Sequence, residues 1–409
     1  MFRVCICTLL LAAVAPAQPL DSLVAEALRN NREILAAQKR YEAARQWPAQ
    51  AAALPDPTVS LGYASTSYPW PGAGLGRDLT SNVAISVTQE MPFPGKRELR
   101  GQIAGKEADA VFEDYLATRL SVVSRLKQAY HEMHHASVGI AFVKRYQDIL
   151  RNIISVSEAR YTVSHAAQQD VFKAQTQFSI FETQLLRYQQ QRTAREIEID
   201  ALLNRPTDGP IEVPVDMPAG DLNVTLEELL AHARAEGPAL AGARKTVQRG
   251  ELAADLARRD SRPDYALSAG YFNMGGMAPM WQARIDVRLP AWFSKQKAEI
   301  SEQVSALSEA RHNYEAAEKS IEANIRELYS EAAAARKLID LYEKSVLPEA
   351  RLALDSSLAS YQTGSLDFLA VFTNFMSVVD YELMYHEEVM TFHVSMAKLE
   401  ELSGTEIKL

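Results

Sequence analysis

Residues 280–300 have the sequence MWQARIDVRLPAWFSKQKAEI. From Trp281 onward apolar and polar residues alternate over nine positions, so every second side chain would point to the same face of a β-strand. One face would carry two arginines and an aspartate and needs water, whereas the other is apolar and needs lipid or a protein core. Pro290 ends the strand, and the aromatic residues Trp292 and Phe293 precede a long helix-forming segment. The pattern predicts a membrane β-strand that ends at an aromatic girdle and turns its polar face towards water.

The N-terminus has the features of a secretory signal peptide at residues 1–17. A basic residue precedes an apolar run, and an A-x-A cleavage site ends at Ala17. Both cysteines, Cys5 and Cys7, lie inside this segment, so we expect a mature chain without disulfides or thiolate metal sites. No later run has the roughly 18 uninterrupted apolar residues of a helical membrane span. The formal net charge of −9 argues against nucleic acid as a partner.

The rest of the chain is an internal duplication. Residues 18–204 form the first predicted repeat and residues 225–409 the second, with a Pro-rich linker at residues 205–224. Each repeat is predicted to contain a helix, a β-hairpin, a long helix, a turn and a return helix. The hairpins are predicted at residues 57–91 and 264–290, and the long helical hairpins at residues 96–204 and 295–403. Thr225 and Glu228 form a predicted capping box at the start of the second repeat.

The first helix of each helical hairpin, predicted at residues 96–161 and 295–361, is unusually long. At 1.5 Å per residue, about 66 residues extend roughly 100 Å. Such a helix needs coiled-coil partners to bury its apolar stripe. In the first repeat this stripe comprises Val111, Tyr115, Val122, Leu126, Tyr130 and Met133. Pro348 is predicted to kink the second long helix or to end it early.

The four predicted strands are about ten residues long, which is enough to cross a bilayer when tilted. Four strands cannot close a barrel, because the smallest membrane barrels have eight. Open strand edges are not tolerated in lipid. If these strands cross a membrane, several chains must therefore share one barrel.

Short motifs accompany the duplication in a fixed order: ALRNNREI at residues 27–34, LPDP at 54–57, QEMPFPGKR at 89–97, and turns that begin at Tyr161 and Tyr361. With these motifs the sequence resembles the TolC-like outer-membrane efflux channels over nearly all of its mature length. The resemblance implies an α+β membrane protein, a homotrimer in which four strands per chain build a shared 12-stranded β-barrel. A long periplasmic α-helical barrel would continue this β-barrel.

The resemblance also implies a location and partners. The protein would lie in the outer membrane of a Gram-negative bacterium, in contact with the lipid bilayer and with a large periplasmic part. It would be a passive exit duct without catalysis or cofactors. A periplasmic adaptor, or membrane fusion protein, would connect it to an inner-membrane efflux pump. The LPDP and PFPGKR elements most resemble the branch that exports heavy-metal cations.

Three groups of site residues follow from the resemblance. The helical turns would contact the adaptor through Tyr161, Ser164, His165, Tyr361, Gly364 and Ser365. The junctions between strands and helices would be formed by Pro92, Pro94, Gly95, Lys96, Arg97 and Pro290. Asp170 would form a periplasmic gate together with Asp367, where convergent carboxylates bind cations or repel anions.

The two turns differ from each other in ways that bear on this gate. The position that matches Asp170 in the second repeat is Ala370, and Ser164 stands where the family usually has glycine. Asp170 is equally well explained as a helix N-terminal aspartate that the helix dipole favours. Gly364 suits the left-handed position after a helix.

Two alternative functions remain open from the sequence. A periplasmic coiled-coil scaffold or adaptor without a pore would use the long helices but not the membrane-length strands. The segment H-E-x-x-H, with His131, Glu132 and His135, has the spacing of a zinc metallopeptidase. The duplicate segment lacks both histidines, so we interpret these residues as helix-surface groups and predict no metal site. His165, His386 and His393 are likewise predicted to be structural or exposed to solvent.

Overall fold

The computed structural model describes residues 19–163, 167–206, 211–214 and 217–407. The predicted signal peptide and two predicted turn residues, Ser164 and His165, lie outside these ranges. The chain divides into two compact units. The helical unit comprises Met1–Ala36, Ala117–Gly237 and Ser320–Leu409, and the sheet unit comprises Ala37–Leu116 and Pro238–Lys319.

The elements of the first repeat are α1 (Leu20–Asn30), α2 (Arg32–Ala44), α3 (Trp47–Ala52), β1 (Thr58–Ala64), β2 (Asn82–Met91), α4 (Lys96–Thr162) and α5 (Gln168–Leu203). Those of the second are α6 (Leu226–Glu236), α7 (Pro238–Arg259), β3 (Asp264–Asn273), β4 (Met280–Arg288), α8 (Phe293–Leu341), a π-helical segment (Tyr342–Val346), α9 (Leu347–Gln362) and α10 (Phe368–Ser403). No helix within the described residues is both long and apolar enough to cross a membrane.

The four strands of the sheet unit form one antiparallel sheet in the order β1-β2-β3-β4. β2, β3 and β4 contain nine or ten residues, as predicted. β1 contains only seven, so the predicted uniform length is wrong for this strand. In the first hairpin the return strand begins only at Asn82, because Ser81 and Asp78 belong to a turn in which the Ser81 N–H donates to the Asp78 carbonyl.

The first long helix, α4, is unbroken over 67 residues. Five of the six predicted stripe residues are buried, and Tyr115 is half-buried. In the helical unit this stripe continues into a core that includes Tyr146, Leu150 and Phe375. The predicted apolar stripe is therefore largely buried, and coiled-coil packing of this helix stays a prediction.

The second long helix is not α-helical throughout. It leaves the α-helical pattern at Tyr342, and the Leu347 N–H bonds to the Tyr342 carbonyl, five residues back rather than four. Pro348 follows in the first turn of α9, where its missing N–H costs least. Pro348 was expected to kink this helix or to end it early, but the chain stays helical to Gln362, with the π-helical segment just before the proline.

The predicted opening helix of each repeat is also divided. Asn31 separates α1 from α2, and its Oδ1 accepts the N–H groups of Glu33 at 2.9 Å and Ile34 at 3.1 Å. The Asn31 amide also donates to the Leu202 carbonyl at 2.9 Å and so ties the motif ALRNNREI to the return helix. In the second repeat the predicted capping box is present, because the Thr225 side chain accepts from the Glu228 N–H.

Candidate functional site

The sheet has one apolar and one polar face, and both follow from its register. On the apolar face one row crosses all four strands and consists of Leu61, Ile85, Tyr271 and Trp281. The opposite, polar face has a row formed by Thr58, Thr88, Ser268 and Arg284. The hydroxyls of Thr88 and Ser268 lie 2.9 Å apart. The alternation predicted for residues 281–289 therefore extends over the whole sheet.

The apolar face is exposed in the single chain, including Leu61, Trp281 and Ile285. Burying such side chains contributes about 25 cal/mol per Å² of apolar area, so the face needs lipid or another apolar surface. Trp281 lies at the hairpin end of the sheet, whereas the exposed Trp292 and Phe293 follow its other end. Aromatic residues at both ends of an apolar strand face are typical of membrane barrels.

The charged residues of the polar face cluster at the end of the sheet next to α4 and α8. Arg288 and Glu90 form an ion pair at 3.1 Å, and Arg284 pairs with Asp286 at 3.0 Å. Each of the two acids thus has a basic neighbour. These four residues form a belt of alternating charge at this end of the polar face.

Within the described residues β1 pairs only with β2, and β4 only with β3. Each outer strand therefore has one edge without a partner strand. Backbone groups along such an edge are a template for another strand.

A tight turn joins β2 to α4. The Lys96 N–H donates to the Phe93 carbonyl at 3.1 Å, with Pro94 and Gly95 as the two central residues. Gly95 has a φ of 88°, and a Cβ atom there would lie 1.9 Å from Arg259 Nη1. Proline followed by a glycine at positive φ is the pattern of a type II turn. The Pro-Gly pair of the QEMPFPGKR motif therefore sets the direction in which α4 leaves the strand.

Lys96 holds this turn to the second repeat. It is only 1% exposed, and its ammonium group donates to Asp264 Oδ1 and to the Arg262 carbonyl, each at 2.9 Å. Asp260 Oδ1 lies 3.4 Å away. Asp264 Oδ1 also accepts the Phe93 N–H at 2.8 Å. The sequence identified Lys96 but not its acidic partners, although the Pro-Asp pair at 263–264 repeats the one at 55–56 and marks the position.

The other predicted junction residues have simpler environments. The Arg97 guanidinium donates to the Ala52 carbonyl at 2.9 Å. Pro92 and Pro290 are half-buried just beyond the ends of β2 and β4, and Pro94 is exposed in the turn. The second junction follows Pro290 with Ala291 and Trp292 and so lacks a counterpart of the Gly95–Lys96 pair.

The turn after α9 has the hydrogen bonds of a Schellman motif. The Gly364 N–H donates to the Tyr361 carbonyl at 3.1 Å, and the Ser365 N–H to the Ser360 carbonyl at 2.9 Å. Gly364 has a φ of 82°, which confirms its predicted left-handed conformation. Gly364 and Ser365 are exposed.

The two tyrosines that introduce the turns have different environments. Tyr161 is 45% exposed, whereas Tyr361 is 3% exposed. The Tyr361 hydroxyl lies 3.0 Å from Ser157 Oγ, and the Arg160 guanidinium lies 4.7 Å from its ring centre and donates to its carbonyl at 2.8 Å. The predicted contact of the Tyr361 side chain with the adaptor is therefore wrong, because the residue's own chain already buries it.

The two gate candidates also differ. Asp170 is half-buried in the first turn of α5. Asp367 is exposed and caps α10, because its Oδ1 accepts the Ala370 N–H at 2.9 Å. Asp367 therefore has a structural role that its prediction as a gate residue did not include.

A buried carboxylate that sequence reasoning missed joins three helices of the helical unit. Glu382 of α10 is almost fully buried, and its Oε1 accepts two hydrogen bonds from Arg351 of α9, at 2.6 and 2.9 Å. The hydroxyl of Tyr146 in α4 donates to Oε2 at 2.5 Å. Burial and this carboxylate raise the pKa of Tyr146 above its usual range. The sequence signal that could have identified this residue is a single glutamate on an apolar face of α10.

The H-E-x-x-H residues do not converge. His131 is buried against His393, whereas the ring of His135 contacts the edge of Tyr188. The Glu132 carboxylate lies 2.8 Å from the Arg195 guanidinium. Among the described residues no three histidine, aspartate or glutamate side chains are grouped as a metal site requires. The predicted helix-surface position of His131 is wrong, because its ring is buried, whereas the buried His393 agrees with the structural role that was one of its two predicted alternatives.

Comparisons with known proteins agree with this geometry. Residues 23–205 match the sequence model of the family described as Outer membrane efflux protein. The predicted family resemblance is confirmed. This is a family of channels rather than of enzymes. No curated protein sequence gives a significant match.

Solved structures show that the TolC-like fold extends over 94–95% of the chain. The outer membrane protein VceC from Vibrio cholerae is 19% identical with a TM-score of 0.80, and the match covers 94% of this chain and 96% of VceC. CusC is 15% identical with a TM-score of 0.80, covering 95% and 92%. The open state of the Neisseria gonorrhoeae outer membrane channel MtrE is 16% identical with a TM-score of 0.77, covering 94% and 89%. The predicted α+β, TolC-like fold of the chain is confirmed, whereas the shared 12-stranded barrel of a trimer stays a prediction.

Proposed function

We propose that this protein is the outer-membrane channel of a tripartite efflux system. The observation that carries the proposal is the four-stranded sheet, which combines an exposed apolar face, a polar face and two edges without partner strands. A periplasmic scaffold would not need such a sheet, because exposed apolar strands with open edges promote aggregation in water.

Three copies of the chain would remove both the exposed apolar surface and the unpaired strand edges. Pairing β1 of one copy with β4 of the next gives a closed barrel of 12 strands, which lies within the range of membrane barrels. The apolar faces would then meet lipid, and the belt formed by Glu90, Arg284, Asp286 and Arg288 would line the lumen. A lumen of mixed charge suits a passive duct whose pump selects the substrate.

The helical turns are the proposed contact with a periplasmic adaptor. Tyr161, Gly364 and Ser365 are exposed there and available to a partner. Asp170 is the better gate candidate, because Asp367 already caps its own helix. Heavy-metal cations are the proposed substrate class, supported by the LPDP and PFPGKR motifs.

The decisive experiment is native mass spectrometry of the mature chain from the outer-membrane fraction in mild detergent, followed by conductance in planar bilayers. We expect a detergent-dependent trimer that forms ion-conducting pores. The test variant Ile285→Asp places a charge on the apolar face and should block membrane assembly. The matched control Gln282→Asp places the same charge on the polar face and should be tolerated. A soluble monomer without conductance would refute the channel.

A further inference from the structure

Five histidines of the helical unit lie on two helices that come from different repeats. α4 of the first repeat contributes His131, His134 and His135, and α10 of the second contributes His386 and His393. The channel function proposed above uses none of them.

His131 and His393 stack directly on each other. Their ring centres lie 4.3 Å apart with an angle of 5° between the planes. The two residues are 6% and 5% exposed, so this contact is buried in a single chain. The stack therefore joins α4 to α10 by a contact between two groups that can each take up a proton.

The hydrogen bonds of the pair favour neutral rings. His393 Nε2 lies 3.1 Å from the Pro218 carbonyl, which can only accept, so this nitrogen carries the proton of the neutral ring. The Nδ1 atoms of both histidines are buried and have no hydrogen-bond partner among the described residues. A second proton would have to sit on such an atom, where its N–H group would find no acceptor.

Among the described residues no carboxylate is hydrogen-bonded or ion-paired to either ring. On α4 both Lys127 and His134 disfavour a proton on His131, and its direct neighbours are Tyr130 and Glu132, which pairs with Arg195. On α10, Glu400 pairs with Lys127 at 2.5 Å, and Glu387 and Glu388 lie six and five residues before His393. Glu331 of α8 accepts a hydrogen bond from Ser395. Other charged residues line the cavity of about 1570 Å³ beside the pair: Asp21, Asp221, Arg336, Glu343 and Glu406.

We propose that the His131–His393 stack is an acid-sensitive contact that holds α4 to α10 while both rings are neutral and weakens when either ring is protonated. Burial lowers the pKa of both rings below that of a free histidine. Because the folded pKa is depressed, the stabilisation is present above about pH 6.5 and is lost as the pH falls below that value. Acid would thus loosen the connection between the two repeats within each chain.

Hydrogen exchange of the full mature protein in detergent, measured by mass spectrometry with EDTA present, tests this proposal. After correction for intrinsic exchange rates, protection of residues 127–135 and 389–397 is compared at about pH 8 and about pH 5.5. Local opening that exposes one histidine with an ordinary pKa becomes about tenfold more favourable one pH unit below 6.5, and opening that exposes both about a hundredfold. We expect a loss of protection within this range in these two segments of the wild type.

The matched variant is His131→Phe with His393→Phe, which keeps two stacked rings but removes their titration. It should lose most of the pH response in both segments, whereas the control His312→Phe, at an exposed position of α8, should respond like the wild type. If the double variant does not fold, His393→Phe alone should reduce the response by about tenfold. A wild type without the response, or a variant that retains it fully, would overturn the proposal. The measurement does not require a pore, so a negative result would overturn this proposal without bearing on the proposed channel function.

Discussion

The junction between β2 and α4 allows a quantitative test, because a single buried lysine organises it. Replacing Lys96 with methionine keeps most of the side-chain volume but removes the ammonium group. The change takes away the donor to the Arg262 carbonyl and the cation beside Asp264 and Asp260. The Phe93 N–H remains as a donor to Asp264.

Removing one partner of a fully buried ion pair costs about 3–5 kcal/mol. The cost should be lower here, because the side chains of Asp264 and Asp260 are 26% and 29% exposed and water can reach them. We therefore expect Lys96→Met to lower the free energy of unfolding by about 2–3 kcal/mol. Since 1.4 kcal/mol is a factor of ten, this corresponds to about 30- to 140-fold in the unfolding equilibrium.

Lys106→Met is the matched control on the same helix. Lys106 lies 3.5 Å from Asp109 in a partly exposed pair of the i,i+3 type, and such pairs contribute about 0–1 kcal/mol. Both variants would be unfolded with urea in detergent at one fixed protein concentration and followed by circular dichroism, since assembly makes stability depend on concentration. Equal losses in the two variants would show that the buried lysine does not hold this junction.

Four further substitutions test other features of the chain. Glu382→Gln should cost about 2 kcal/mol in thermal unfolding, because Arg351 loses its charge partner but is itself half exposed and can be solvated. Gly364→Val should cost about 1–2 kcal/mol locally through its positive φ, which would be seen as faster hydrogen exchange at the turn with the proposed trimer intact. Dissociation of that trimer would contradict this. Asp170→Ala should raise conductance in planar bilayers, and unchanged or lower conductance would remove Asp170 from the gate. Arg288→Gln leaves Glu90 unpaired on the polar face, so reversal potentials in a salt gradient should shift towards cation selectivity.

Features that depend on local chemistry were predictable from the sequence. The alternation that begins at Trp281 was visible because side chains on a strand alternate with a period of two, and the register places them as expected. The capping box of α6 needed only Thr225 and Glu228 at the correct spacing. The turn at Gly364 and the break before Pro348 follow from backbone geometry that few other residues satisfy.

Features that depend on distant neighbours were not predictable. Tyr161 and Tyr361 occupy equivalent positions in the duplication, yet only Tyr361 has Ser157 and Phe368 against it. His131 has the spacing of a metal ligand on its own helix, but its environment is set by His393, 262 positions further along the chain. A sequence pattern shows which groups share a helix face, whereas their protonation and burial depend on the face packed against them.

The two repeats have diverged at two equivalent points, and the difference has a physical consequence. In the first repeat Gly95 and Lys96 fix how α4 leaves the sheet, and α4 then runs unbroken for 67 residues. In the second repeat no such pair precedes α8, and the π-helical segment at Tyr342–Val346 interrupts the regular hydrogen bonds of the long helix. A helix bends most easily where that ladder is interrupted. The second long helix therefore contains a point of lower resistance to bending that the first lacks, and a motion of the helical unit should deform residues 342–348 before any part of α4.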